Sequence, residues 1–180
     1  MENSLLAVRP ARMSDAQALA PRLREADRME IRARSGADPR VALESGIRRS
    51  RPCCALLDDA GQVLALFGVS PYPGIAAFGV VWMLGSDALV ARRAMFLRTA
   101  KFCIAQLHRR YPMLGNVIDA RNTVHIRWLQ WMGFEMLQRV ECFGVEQRPF
   151  IAFRRVSAQL QAQATAAARE APAPAAASAS

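Results

Sequence analysis

Lysine is almost missing from this chain: Lys101 is the only one, and arginine supplies the rest of the 24 basic residues. Histidine is nearly as scarce, His108 and His125 being the only two, so imidazole chemistry has few places to sit. The cysteines Cys53, Cys54, Cys103 and Cys142 show no CxxC spacing. That argues against a zinc site or a disulfide frame and for reduced, mostly buried thiols of a cytosolic chain. No run approaches the roughly 18 apolar residues that a membrane-spanning helix needs. The opening MENSLLAVRP has an acid at position 2 and only a short apolar patch, so no secretion signal is expected. No internal repeat is visible.

What is present points to a globular protein. A chain of 180 residues with 52% hydrophobic and 22% charged residues fits one domain with a real core. The net charge of +9 favours anionic partners, nucleic acid among them. The arginines are scattered instead of interleaved with aromatics, so a solvated basic surface is the simpler expectation.

Hydrophobic periodicity and turn residues outline the elements. Strand 5–9 leads into a turn over 10–15, with Ser14 as the expected helix cap. Helix follows over 16–34, broken near Ala26, and again over 40–49. Strands 53–57 and 63–69 flank the hairpin signal Asp58-Asp59-Ala60-Gly61. Residues 70–74, with two prolines, read as a loop, and 75–84 as an apolar strand buried on both faces. The longest helix is expected over 87–110, with Phe96, Ala100, Cys103, Ile104 and Leu107 along one side. Strand 114–120, a short helix, and a closing hairpin of 135–143 with 150–155 complete the core. Domain 1–156 is then followed by an Ala/Gln/Pro-rich tail, 157–180. The tail is expected to be helical at its start and disordered by Ala171-Pro172-Ala173-Pro174.

The most informative stretch is NVIDARNTVHIRWLQWMGF, residues 116–134. A buried strand end is followed by Asn122, a good helix cap. Val124, Trp128, Trp131 and Met132 then recur at helical spacing. Gly133 supplies the left-handed stop, and Phe134 restarts a strand. This block resembles the last conserved segment of the GNAT-type N-acetyltransferases, and VRPARMSDAQALA (8–20) is similar to the family's first strand and helix. The resemblance covers 5–155 and implies an α/β (α+β) GNAT-like fold with a mixed central sheet flanked by helices. The segments LREADRMEI (23–31), VVWMLGSDAL (80–89) and YPMLGNVIDARNTVHIRWLQWMGF (111–134) narrow it. They resemble a family of small bacteriophage proteins that includes the internal virion protein A of short-tailed phages.

The GNAT resemblance implies three requirements for acetyl transfer. The diphosphate of acetyl-CoA needs backbone amides at a helix N-terminus, from a Gly-x-Gly loop. The acceptor amine needs a base. The departing thiolate takes a proton from a Tyr of the last helix. Here the loop reads Gly85-Ser86-Asp87, without Gly-x-Gly, and Asp87 would repel phosphate while capping the helix. Leu84, Gly85, Arg92, Arg93 and Asn122 are the candidate cofactor contacts. The Tyr position falls on Leu129, which cannot donate a proton. Strand 75–84 holds no Asp, Glu or His, which leaves Glu25, Asp27 and His125 as candidate catalytic groups, with Glu30 and Asp119 behind them. A solvated face for the acids and a structural role for His125 are the plainer alternatives. The three tryptophans, Trp82, Trp128 and Trp131, are expected in core or cleft wall. No metal is expected.

Two functions follow as expectations. The first is a phage-encoded, virion-associated structural protein with little or no acetyl transfer and weak or absent acetyl-CoA binding. Its partners would be other virion proteins, in the particle or the host cytoplasm. The second is an acetyl-CoA-dependent N-acetyltransferase with a non-standard cofactor loop. A nucleic-acid-binding module rests on charge alone.

Overall fold

The computed structural model describes residues 5–170. Seven strands form one mixed sheet: β1 (Ala7–Pro10), β2 (Cys53–Leu57), β3 (Val63–Tyr72), β4 (Ile75–Gly85), β5 (Met113–Asp119), β6 (Glu135–Phe143) and β7 (Arg148–Val156). Their spatial order is β1-β2-β3-β4-β5-β7-β6. Every neighbouring pair is antiparallel except β4 and β5.

Helices cover both faces, as a sheet apolar on both sides requires. On one side lie α1 (Met13–Leu19), α2 (Glu25–Ser35) and α3 (Pro39–Arg49), which, with Leu23 of the link between α1 and α2, bury Leu19, Ile31 and Leu43 against Leu66. On the other lie α4 (Asp87–Ala91), α5 (Arg93–His108) and α6 (Thr123–Trp131), which pack Phe96, Ile104, Leu107 and Trp128 onto Leu64, Leu114 and Ile118. A last helix, α7 (Ala158–Glu170), follows β7 and is mostly exposed. The Ala171–Pro174 stretch, expected to be disordered, lies outside the described residues.

The one parallel pair positions the site. β4 and β5 match only as Phe78↔Met113, Gly79↔Leu114 and Val80↔Gly115. Beyond that β4 stays on β3 as far as Gly85, and β5 stays on β7 as far as Asp119. The sheet therefore splits into a wedge. Glycine is required at its vertex: a Cβ on Gly115 would stand 2.7 Å from the Phe153 carbonyl oxygen, and one on Gly79 would stand 2.9 Å from the Tyr111 ring. Asn116 finishes the vertex, its Nδ2 donating to the Val81 carbonyl at 2.9 Å where the ladder stops.

Local expectations fail where long-range contacts intervene. Ser14 does not cap α1. Arg12 is the cap residue, its amide donating to the Asp15 carboxylate at 2.7 Å while Arg9 clamps Asp15 at 2.7 and 2.8 Å. The break expected near Ala26 falls instead at Leu23 and Arg24. There the Arg24 amide donates to the Gly85 carbonyl at 2.9 Å and Leu23 bridges Ser86. The helix expected over 87–110 is two helices, broken at Arg92. The expected loop 70–74 is mostly strand, turning only at Pro73 and Gly74. Trp131, expected in the apolar wall, is 49% exposed and lies under the Lys101 ammonium at 3.8 Å. Cys142 is exposed, while Cys53, Cys54 and Cys103 are half-buried, and all four are free thiols. Among the described residues no helix is long and apolar enough to cross a membrane.

Candidate functional site

The wedge opens into a cavity of about 1000 Å³ that passes through the sheet between β4 and β5. Its α5–α6 side is apolar, with Phe96, Ile104, Leu129 and Phe153 in the wall. Its α2–α3 side carries Glu30, Arg34, Ser45, Arg49 and Asn116. The sheet register decides which backbone groups look into the gap. Ser86 donates its amide to the Leu64 carbonyl on the β3 side, whereas the Gly85 amide and Val81 carbonyl bond across the gap. Alternation therefore turns the Met83 N–H and C=O, which lie between them, toward the cavity. Leu84, an expected cofactor contact, spends its backbone on Leu66 of β3 and offers only its side chain.

A buried polar cluster closes the wide end of the wedge. Asp27, 1% exposed, accepts from Arg24 Nη2 at 2.6 Å, the Gly85 amide at 2.8 Å, Arg24 Nε at 3.1 Å and Asn122 Nδ2 at 3.4 Å. Burial pushes its carboxyl upward, and the Arg24 charge and the Gly85 amide pull it back. Arg24 is itself buried, and its guanidinium lies 5.0 Å from the centre of the Trp128 ring. Asn122 serves two ends: Oδ1 accepts from the His125 amide at 3.4 Å and caps α6, while Nδ2 reaches Asp27 and, at 3.3 Å, Glu30.

Glu30 sits one step from this cluster, inside the envelope of the fold yet touching the cavity. Burial first, and then the charge of Asp27, raise its carboxyl from 4.5 to about 7. It titrates where a general base is most useful. His125 also lines the cavity, but burial and the Arg24 charge lower its imidazole to about 3, so it is neutral and weakly basic.

The remaining expected groups lie elsewhere. Glu25 is on the exposed surface, paired with Arg28 at 3.0 Å. Asp27 faces the cluster with every strong acceptor direction used, which suits it to structure and not to proton transfer. Asp119 is buried; burial raises its carboxyl, but the hydrogen bonds and charge of Arg121 outweigh this and hold it low. Arg93 points to solvent, and Arg92 leans toward Asp58 at 3.9 Å. Gly85 donates its amide to Asp27, so it offers no free amide to a phosphate. Asn122 is turned to the acid cluster and the α6 amides, not to a cofactor arm. Leu129 is buried in the apolar wall, and Tyr111 is remote, its hydroxyl donating to the Arg51 carbonyl at 3.3 Å. Arg34, Arg49 and Asn116 carry no local motif. The spacing Glu30–Arg34, one helical turn, puts those two residues on one face of α2, but nothing local ties Arg49 or Asn116 to them. No group of acids, thiols or imidazoles among the described residues is arranged to hold a metal.

Neither a protein-family model nor a curated protein matches the sequence. Solved structures do. A GCN5-related N-acetyltransferase from Kribbella flavida superposes with a TM-score of 0.64 at 20% identity, covering 84% of this chain and 98% of that one. A ribosomal-protein-alanine N-acetyltransferase from Brucella melitensis gives 0.65 at 18%, covering 84% and 100%. A phosphinothricin acetyltransferase from Sinorhizobium meliloti, solved in complex with AcCoA, gives 0.63 at 16%, covering 85% and 89%. These likenesses lend no support to a relationship with phage internal virion proteins. Split sheet, helical layers and structural neighbours agree: the chain has the GNAT fold.

Proposed function

We propose that the protein is an acetyl-CoA-dependent N-acetyltransferase with a non-standard cofactor loop, in which Glu30 accepts the proton of the attacking amine. One observation carries this reading: the wedge is open, and a carboxyl that titrates near neutral pH stands on its wall. The site fits one part of acetyl-CoA better than another. The Met83 N–H and C=O and the apolar walls suit the pantetheine arm. The diphosphate finds no backbone cradle, since the Gly85 amide is taken and Asp87 stands at the helix start. Side chains such as Arg92 and Arg93 would have to hold it, at lower affinity.

Acetyl-CoA, when bound, supplies a thioester: the amine nitrogen bonds to the acetyl carbon, the carbon–sulfur bond breaks, and coenzyme A leaves as thiolate. Glu30 takes the amine proton, and above pH 7 it is ionised and ready to do so. Asn116 fixes the vertex so that the cavity keeps its shape. With Leu129 at the position of the acid, the thiolate draws its proton from solvent.

Calorimetric titration with acetyl-CoA, followed by thiol release in the presence of amines, tests this. A saturable heat and amine-dependent thiol release are expected. No saturable heat up to millimolar cofactor, with no thiol release, refutes it. A second reading, a non-catalytic GNAT-like protein, draws on the blocked Gly85 amide and the missing acid; a structural role beside virion proteins belongs to that reading alone.

A further inference from the structure

We propose, on the basis of the transferase reading, that the acceptor is a small amine bearing a carboxylate or phosphate, and that Arg34 and Arg49 hold that anion. The two arginines come from different helices, α2 and α3, and line the same side of the cavity. Their neighbours on those helices are paired with carboxylates: Arg32 with Glu146 at 2.8 Å, Arg48 with Glu44 at 3.0 Å and Arg40 with Glu44 at 2.8 Å. Arg34 and Arg49 are not. Arg34 donates only to Asn116 Oδ1, through Nη1 and Nη2, both at a long 3.3 Å. Arg49 makes no ion pair among the described residues. Burial lowers Arg34; the charge of Glu30 opposes this, and the charge of Arg49 adds to it. Two guanidiniums from different helices, neither in a direct ion pair with a carboxylate, form a fork on the cavity wall of the kind that takes a carboxylate or phosphate.

The third charge sets where the amine goes. Glu30 and Arg34 are four residues apart on α2, about 6 Å along its axis, so they stand one above the other on one face. An acceptor whose anion meets Arg34 and Arg49 would present an amine a few bonds away to Glu30. A polyamine would bring positive charge against both arginines and satisfy neither. Ser45 and the Asn116 side chain border the slot and add neutral polar contacts.

Acetyl transfer by the full-length protein, with glutamate and phosphoethanolamine compared against spermidine and glycinamide, tests the inference. Calorimetry with succinate and inorganic phosphate tests anion binding without turnover. The anionic amines should be preferred. Arg34→Gln and Arg49→Gln should each raise their KM by about tenfold or more, with kcat at saturation changed much less. Arg34→Lys should recover part of the loss. A preference for spermidine, or an unchanged KM in both glutamine variants, overturns the anion site and leaves the transferase reading intact. Loss of acetyl-CoA binding in the variants also overturns it, since the arginines would then serve the cofactor's phosphates. If no amine is acetylated but succinate or phosphate binds and the glutamine variants abolish that binding, the anion site stands and the transferase reading falls. With no anion binding and no transfer, both fall.

Discussion

Glu30→Gln separates a catalytic from a structural carboxyl, because it should remove activity while adding stability. The folded protein moves this carboxyl from 4.5 to about 7, through burial and the neighbouring charge of Asp27. Between those pH values the folded state keeps a proton that the unfolded chain releases. The stability conferred by this group is therefore complete below pH 4.5 and is lost as pH rises through 7. Spread over the whole window, the displacement corresponds to about 3 kcal/mol at most. Glu30 is only half-buried, so solvent screens its charge, and about 1 to 3 kcal/mol is the reasonable range at pH 8.

Glutamine keeps an oxygen to accept from Asn122 and carries no charge. At pH 8 the variant should melt higher by roughly 2 to 10 °C, and at pH 4.5 the two proteins should melt together. Transfer should fall by about a hundredfold or more, the usual contribution of a positioned base. In the wild type, kcat/KM should rise with pH through about 7 and level off. Differential scanning calorimetry at both pH values and a thiol-release assay provide the readouts. A variant that is less stable at pH 8, or that retains wild-type turnover, refutes the assignment of Glu30.

Four further outcomes follow from the packing and burial. Trp128→Ala should cost about 3 to 5 kcal/mol in chemical denaturation, since the ring is 6% exposed against Phe96. Trp131→Ala, at 49% exposure, should cost about 1 kcal/mol or less, most of it the contact with Lys101. Gly144→Ala should destabilise by about 1 to 3 kcal/mol and loosen the β6–β7 tip from α2, because its φ is +69° and a Cβ would strike the Ala33 carbonyl; hydrogen exchange at the Glu146 amide, bonded to Ala33, reports the release. His125 should show no imidazole titration by NMR between pH 8 and 5, its value being about 3; its share of the stability is lost as pH falls from 6.5 toward 3.

Features set by neighbours in sequence were legible, and those set by distant partners were not. Asn122 caps α6 and Gly133 ends it at φ +86°, because both act within one helical turn. Ser14 has the better capping propensity, yet α1 starts at Arg12, because Asp15, clamped by Arg9 of the preceding strand, reaches back to the Arg12 amide. The break at Leu23–Arg24 depends on Gly85 and Ser86, some sixty residues away. Helical spacing put Trp128 and Trp131 in one apolar wall, but they are only three residues apart on a short helix whose narrow buried stripe ends between them. Glu25, Asp27 and Glu30 look alike in sequence. Their difference arises from which of them meets Arg24, Gly85, the cavity or bulk water.

The same contacts explain how the two strands of the wedge are held apart. At its vertex two glycines let the strands close together, and Asn116 takes over from the interrupted ladder. At its wide end Asp27 binds the end of β4 through Gly85 and the start of α6 through Asn122, with Arg24 compensating the charge. Removing Asp27 alone would leave Arg24 buried and unpaired, a cost of about 3 to 5 kcal/mol. Asp27 therefore has opposite effects on the two halves of the cofactor. It uses up the amide that a diphosphate would want, and by doing so it holds apart the two strands between which the arm would lie. An acid that weakens one contact while building the other gives a cleft of GNAT shape in which, on the proposed transferase reading, the hold on acetyl-CoA would rest on the pantetheine arm and on side-chain arginines.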